Sequence, residues 1–172
     1  MKKFLVTLLA AVMALSMVAC GGKKNETSEP ATTVLEEVEA NTLGATLLEV
    51  FSTEMEANNA LTAQELADTL ITNEAILFAG GSMPMEEGFL MGFDADITGF
   101  EEAVAFMPMI GTIPFVGYVF DLAEDADVNA FMTTLKENAN LRWNVCTEAE
   151  QMVIASYGDK VFFLMCPKSL EG

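Results

Sequence analysis

The chain has 172 residues and a formal net charge of −18, with 52% apolar residues and no histidine. This apolar content excludes a disordered acidic tail, and eight Lys and Arg residues against 26 Asp and Glu exclude a basic nucleic-acid-binding surface. The length suits one domain, and without histidine the chain lacks the commonest general base and metal ligand.

The N-terminus has the pattern of an export signal. Lys2 and Lys3 precede an apolar run at 4–18 that is too short to cross a bilayer as a helix. The run leads into Met17-Val18-Ala19-Cys20-Gly21, which resembles the lipobox of bacterial lipoproteins, although that family usually has Leu at the position of Met17.

The lipobox resemblance implies that residues 1–19 are a signal peptide and that Cys20 carries the lipid after cleavage. Palmitate-type acyl chains on Cys20 would hold the protein on the extracytoplasmic face of the cell membrane. A plain secretory signal cut near Ala19 and a short membrane anchor are the alternatives. Residues 20–32 are polar and contain Gly and Pro, which predicts a flexible tether. We expect residues 33–172 to form a single α+β domain.

Two capping boxes predict the first helices. Thr33 with Glu36, and Thr62 with Glu65, each place Thr at an N-cap and Glu three residues later. Helical spacing of apolar residues after the first box predicts one long helix, or two broken near Asn41, ending around residue 58. The second box predicts a short helix that ends near residue 73.

Residues 78–85 contain Gly80-Gly81 and Pro84 and are predicted to be a turn or loop. Short apolar runs predict strands at 88–93, 102–107 and 115–122, with a connection at 94–99.

Asp127 is predicted to cap an amphipathic helix, because Val128, Phe131, Met132 and Leu135 recur at helical spacing. Two β-rich runs, 152–157 and 160–165, flank Gly158-Asp159 and predict a hairpin. The fold class is therefore α+β: an antiparallel sheet of four or five strands, with N-terminal helices and one helix before a C-terminal β-hairpin.

Sulfur-bearing residues suggest two kinds of site. Cys146 and Cys166 are candidates for a disulfide, or for two buried free thiols, and thiol catalysis is disfavoured because a base is missing. Thioethers and thiolates select Cu(I), so Met83, Met85, Met107, Met109 and Cys166 form one conceivable soft-metal set, while filling of irregular core gaps is the simpler interpretation.

Two acidic stretches are weak candidates for Ca²⁺. Asp94 and Asp96 begin a loop like the first half of an EF-hand, but Ala105 stands where a bidentate Glu is needed. Asp125 and Asp127 lie in a second cluster, where capping of the following helix is the simpler role. No cofactor is expected.

Arg142 and Trp143, the only Arg and the only Trp, are candidate partner contacts because both types are enriched at binding hot spots. The alternative is that Trp143 closes the core and Arg142 pairs with a nearby acid.

From Val128 onward, the helix, the Arg-Trp-Asn-Val-Cys-Thr stretch and the closing hairpin resemble the C-terminal part of small uncharacterised lipoproteins of Gram-positive anaerobes. This resemblance covers about 40 residues and implies a location but no mechanism.

The expected function is that of a non-enzymatic binding or structural module of the cell envelope. It would be attached to the membrane by its N-terminal lipid and would bind another envelope protein or a small ligand. The alternatives are a Ca- or Cu-binding surface lipoprotein and, third, a small carboxylate-based hydrolase.

Overall fold

Residues 31–109 and 112–170 are described by a computed structural model. The signal peptide at 1–19, the lipidation site Cys20 and the tether up to residue 30 lie outside the described residues.

A six-stranded sheet with antiparallel pairing between neighbours forms the centre of the domain, in the order β1-β7-β8-β6-β5-β2. Its strands are β1 (Thr33–Val34), β2 (Gly80–Met85), β5 (Glu102–Pro108), β6 (Val116–Asp121), β7 (Gln151–Tyr157) and β8 (Lys160–Cys166). A separate two-stranded sheet pairs β3 (Gly88–Phe89) with β4 (Asp96–Ile97). The α+β class is therefore confirmed, with more strands than the four or five predicted.

Three helices flank the central sheet: α1 (Leu43–Ala57), α2 (Ala63–Ile71) and α3 (Val128–Asn138). α1 and α2 pack on one face, and α3 packs on the other together with the segment around β3 and β4. Both faces of the sheet are thus covered, which explains why every residue of β8 is buried and why its sequence from Val161 onward is apolar without alternation. No helix within 31–109 and 112–170 is long and apolar enough to cross a membrane.

Several predicted elements agree with the structure. The capping box of Thr62 and Glu65 opens α2, and the side chain of Asp127 caps α3. The C-terminal hairpin is present, and β5 and β6 lie close to the runs predicted for them.

Other predictions were wrong. Thr33 lies in β1 and caps no helix; α1 begins ten residues later, where Thr42 is the N-cap. The stretch predicted as a turn at 78–85 contains β2, an edge strand, and an edge position tolerates Pro84. The strand predicted at 88–93 has only two strand residues, and the connection predicted at 94–99 supplies its partner β4.

Candidate functional site

A cleft of about 530 Å³ opens on the α3 side of the sheet; we call it the Phe89 cleft. It lies between the β3–β4 segment and the chain that follows α3. Its lining is apolar and aromatic with two polar side chains, and consists of Met85, Phe89, Met91, Gly92, Phe93, Asp94, Asn140 and Trp143. Concave apolar sites with few polar groups are typical of binding pockets.

Phe89 and Met91 are the exposed apolar members of this lining, with 72% and 47% of their surface accessible. Between and beside them the chain turns inward, so that Leu90 and Phe93 are buried. The Phe93 ring packs against Phe163 at a centroid distance of 4.7 Å. The buried residues fix the segment to the core, and the two exposed side chains stay at the mouth of the cleft.

Backbone hydrogen bonds tie the cleft wall to the end of α3. The Asp94 amide donates to the Asn138 carbonyl at 2.9 Å, and the Asn140 amide donates to the Gly92 carbonyl at 2.8 Å. The Asn140 side-chain amide donates to Asp94 Oδ1 at 2.7 Å. These bonds hold the two walls of the Phe89 cleft at a set separation.

Gly92 allows the close approach on which this arrangement depends. Its φ is +95°, and a Cβ at this position would lie 2.6 Å from the Met165 methyl carbon. The Tyr118 hydroxyl, below the same loop, donates to the Met91 carbonyl at 2.8 Å. Burial raises the pKa of Tyr118 above its ordinary value, so the hydroxyl keeps the proton that it donates.

The predicted partner contacts occupy different positions relative to the cleft. Trp143 is partly buried against the α3 layer and also lines the Phe89 cleft. Arg142 does not line it; its Nε lies 3.6 Å from a carboxylate oxygen of Glu148, and both side chains are largely exposed. Trp143 thus serves the core and the cleft together, while Arg142 forms a surface ion pair.

A second cleft, of about 300 Å³, lies where β2 meets β5; we call it the Gly81 cleft. It is lined by Gly81, Ser82, Met83, Met107, Pro108 and Met109. Both Met-Pro-Met stretches thus contribute to one surface. The other two members of the soft-metal set predicted from sequence lie elsewhere. Met85 lines the Phe89 cleft, and Cys166 lies on the opposite face of the sheet, under α1 and α2.

The two cysteines among the described residues, the candidates for a disulfide, are free thiols in the structure. Cys146 is exposed, and Cys166 is buried at the end of β8. Burial raises the pKa of the Cys166 thiol to about 12, which keeps it protonated, and the Gln151 side-chain amide contacts its sulfur at 3.3 Å.

The acidic candidates have local partners. Asp94 accepts from Asn140, and Asp127 Oδ1 accepts the Ala130 amide at 2.9 Å as the cap of α3. Among the described residues, Asp, Glu and Cys form no group of three or more that could hold a metal ion, and this includes the stretches with Asp96 and Asp125. The arrangement does not assemble the calcium site considered from sequence.

Phe89 and Met91 were not predicted as site residues, because both were assigned to a short apolar strand. The available signal was Gly88 and Gly92 within five residues, which marks a turn and not a continuous strand. No protein-family model, no curated protein and no solved structure matches this chain.

Proposed function

We propose that this chain is a non-enzymatic binding module of the cell envelope whose Phe89 cleft holds an apolar, cationic segment of another envelope protein. The lipid on Cys20 would anchor it to the extracytoplasmic face of the membrane. The observation that carries the proposal is the exposure of Phe89 and Met91 on a loop pinned by buried neighbours. Grouped exposed apolar side chains beside a cleft are typical of interaction sites.

Preorganisation supports binding at this cleft. The hydrogen bonds from Asp94 and Asn140 and the buried ring of Phe93 already fix the walls, so a ligand would order little additional chain. Burial of apolar surface contributes roughly 25 cal/mol per Å², and an exposed Phe supplies a large share of such area. Met85 and Met91 add flexible side chains that can adapt to the shape of a partner.

Charge supports a cationic occupant. The chain has a formal charge of −18, and the cleft wall carries the Asp94 carboxylate and no basic side chain. A second copy of the chain would be repelled by the same charge that attracts a basic segment. An apolar segment with Lys or Arg therefore fits the cleft better than self-association does.

The lining supports a binding role over hydrolysis. Carboxylate-based hydrolysis needs two acids on opposite sides of the reacting bond, and Asp94 is the one carboxylate among the described residues that line the Phe89 cleft. Its carboxylate accepts a hydrogen bond from Asn140. The lining of this cleft therefore favours a binding module over a small carboxylate-based hydrolase.

The fluorescence of Trp143 provides the test, because the chain has a single Trp and it lines the cleft. The chain would be titrated with a short peptide of alternating Leu and Lys, and with a matched peptide of alternating Ser and Lys. We expect the Leu-containing peptide to shift the emission, and Phe89→Ser to weaken its binding about tenfold.

Leu77→Ser is the matched control, because Leu77 is also an exposed apolar residue, at 62%, and lies outside the cleft. Equal weakening by Phe89→Ser and Leu77→Ser would contradict the proposal. Binding of a small apolar dye that depends on Phe89, without binding of the Leu and Lys peptide, would replace the polypeptide by a small ligand as occupant.

The anchor is tested separately in bacterial cells that make the full chain. We expect the chain to sediment with membranes, and Cys20→Ala to release it or leave it uncleaved. Labelling of the original chain with radioactive palmitate, and its loss in Cys20→Ala, would distinguish lipidation from a plain apolar anchor. Undiminished label in the variant would overturn the anchor without bearing on the Phe89 cleft.

A further inference from the structure

The Gly81 cleft brings together methionines that are far apart in the chain. β2 and β5 pair antiparallel, with Gly81 opposite Met107 and Met83 opposite Ala105. Side chains alternate between faces along a strand, so Gly81, Met83 and Met107 share one face, and Met109, which follows β5, lies beside Gly81. This face is the α3 side of the sheet, because Met107 packs against the α3 layer.

Gly81 leaves an open floor in the middle of this group. Met107 lies directly across the ladder from it, and Met83 lies two residues further along β2. Met109 packs beside the glycine, because its Cγ lies 3.7 Å from the position that a Cβ of Gly81 would take. The three methionine side chains therefore line one cleft, and each has three rotatable bonds through which its sulfur can reach the centre of that cleft.

Two of these side chains are strongly exposed, Met83 at 51% and Met109 at 73%. Packing of the core does not account for them, although it accounts for the half-buried Met107. Carboxylates are absent from the lining, and the one hydroxyl present, of Ser82, contacts Gln64 and Asp68 of α2. The donors that the cleft offers are thus soft sulfurs, which favour Cu(I) over hard cations.

We propose that Met83, Met107 and Met109 bind one soft monovalent ion, Cu(I), above Gly81. Each thioether supplies one lone pair to the ion, and small rotations of Met83 and Met109 close the site. Because thioethers carry no proton at neutral pH, binding releases none. The site is separate from the Phe89 cleft and stands whether or not that cleft binds a polypeptide.

Ag(I), a redox-stable soft ion, is the first probe, followed by Cu(I) under ascorbate in competition with bicinchoninate. The experiment uses the full chain in detergent micelles with Cys20→Ala and Cys146→Ser, because an exposed thiol would also bind these ions. With ¹³C-labelled methionine methyl groups, we expect the resonances of Met83, Met107 and Met109 to shift at one equivalent.

Substitution by Leu keeps the apolar volume and removes only the sulfur. Mutation of a residue that only hydrogen-bonds to a metal ligand lowers metal affinity about 10–100-fold. Loss of a ligand itself should cost no less, so we expect Met83→Leu, Met107→Leu and Met109→Leu each to lower the affinity for Ag(I) and Cu(I) at least about tenfold. Met91→Leu is the matched control, an exposed methionine of the other cleft, and should leave the affinity unchanged.

Unchanged Ag(I) and Cu(I) affinity in the triple Leu variant, with native circular dichroism, would overturn the proposal. So would methyl shifts spread equally over Met91 and the three proposed ligands. Tighter binding of Ca²⁺ or Zn²⁺ than of Ag(I) would also contradict it, because thioethers are poor ligands for hard ions.

Discussion

Gly117 in β6 has no room for a side chain. It pairs with Phe106 across the β5–β6 ladder, and a Cβ at this position would lie 2.1 Å from the Phe106 ring. The ring is fully buried and stacks on Phe162 at 6.3 Å between centroids. The glycine thus provides the space that an aromatic ring occupies in the layer beneath α1 and α2.

Gly117→Ala should therefore lower the free energy of unfolding by about 1–3 kcal/mol, the usual cost of overpacking a core. Urea denaturation measures the loss. Gly81→Ala is the control, because the nearest atom there lies at 3.7 Å, an ordinary contact. Because Ala is favoured over Gly within a strand, Gly81→Ala should not destabilise, and equal losses in the two variants would show that the Phe106 ring does not set the cost.

The two described cysteines should differ sharply in reactivity. Burial raises the pKa of Cys166 to about 12, so at pH 8 its thiol stays protonated and inaccessible, whereas Cys146 is exposed. With Cys20→Ala in place, iodoacetamide should add one label to the native chain and two in urea. Cys146→Ser should abolish native labelling, and a native label on Cys166 would contradict the burial described for β8.

At the scale of the elements, the start of α2 depends on a reciprocal pair of contacts. The Thr62 hydroxyl accepts the Glu65 amide, and a Glu65 carboxylate oxygen accepts the Thr62 amide and hydroxyl at 2.9 Å. These hydrogen bonds to the carboxylate lower the pKa of Glu65. Its contribution to stability is therefore present above the pKa of the unfolded chain and is lost as the pH falls through the folded pKa.

Thr62→Ala should lower the free energy of unfolding by about 1 kcal/mol at pH 7. The loss should shrink under acid conditions, where Glu65 is protonated and its contact with Thr62 is already weakened. Thermal unfolding across this pH range checks both points. Thr53→Ala, an exposed threonine inside α1, is the control and should not destabilise, because Ala has the higher helix propensity.

The elements that sequence analysis located are those specified by local signals. The cap at Asp127 and the spacing that follows it are sufficient for α3, and the turn at Gly158 is sufficient for the β7–β8 hairpin. Both depend on residues within about ten positions of each other.

The strand β2 could not be located in this way, because its own residues favour a turn. Its extended form results from pairing with β5 and from packing against α2. A Cβ on Gly80, for instance, would lie 2.4 Å from a side-chain carbon of Ile71. Gly80, one of the two glycines that indicated a turn, is needed here for the close approach of β2 and α2.

The candidate sites share this non-local origin. The Phe89 cleft exists only because residues near 90 meet residues near 140, and a single sequence contains no sign of that contact. Trp143 was identified from its type alone, and the methionine set was identified as a group but not divided correctly between the two clefts.

At the scale of the whole molecule, net charge opposes compactness. A formal charge of −18 over the whole chain is self-repelling, and the ion pairs of the described residues involve only four cations. Three of these pairs, including Lys136 with Glu36, are mostly exposed and contribute little each.

We therefore expect added NaCl to raise the melting temperature. The Debye length falls from about 30 Å at 0.01 M to about 8 Å at 0.15 M, which screens repulsion between distant carboxylates. Differential scanning calorimetry at constant pH checks this, with sodium gluconate as the control for chloride binding. A melting temperature that falls with salt would mean that the few ion pairs outweigh the general repulsion.

The position of β8 has a consequence for the order of events in the cell. β8 is the last strand of the central sheet in chain order, yet it lies between β7 and β6, and its residues line both core layers. Until β8 emerges, β6 lacks a neighbour on that side and neither layer can close, so the other strands of the sheet must be made before the domain can fold. Delayed folding of this kind would fit the export that we propose, because the chain could cross the membrane unfolded and fold afterwards.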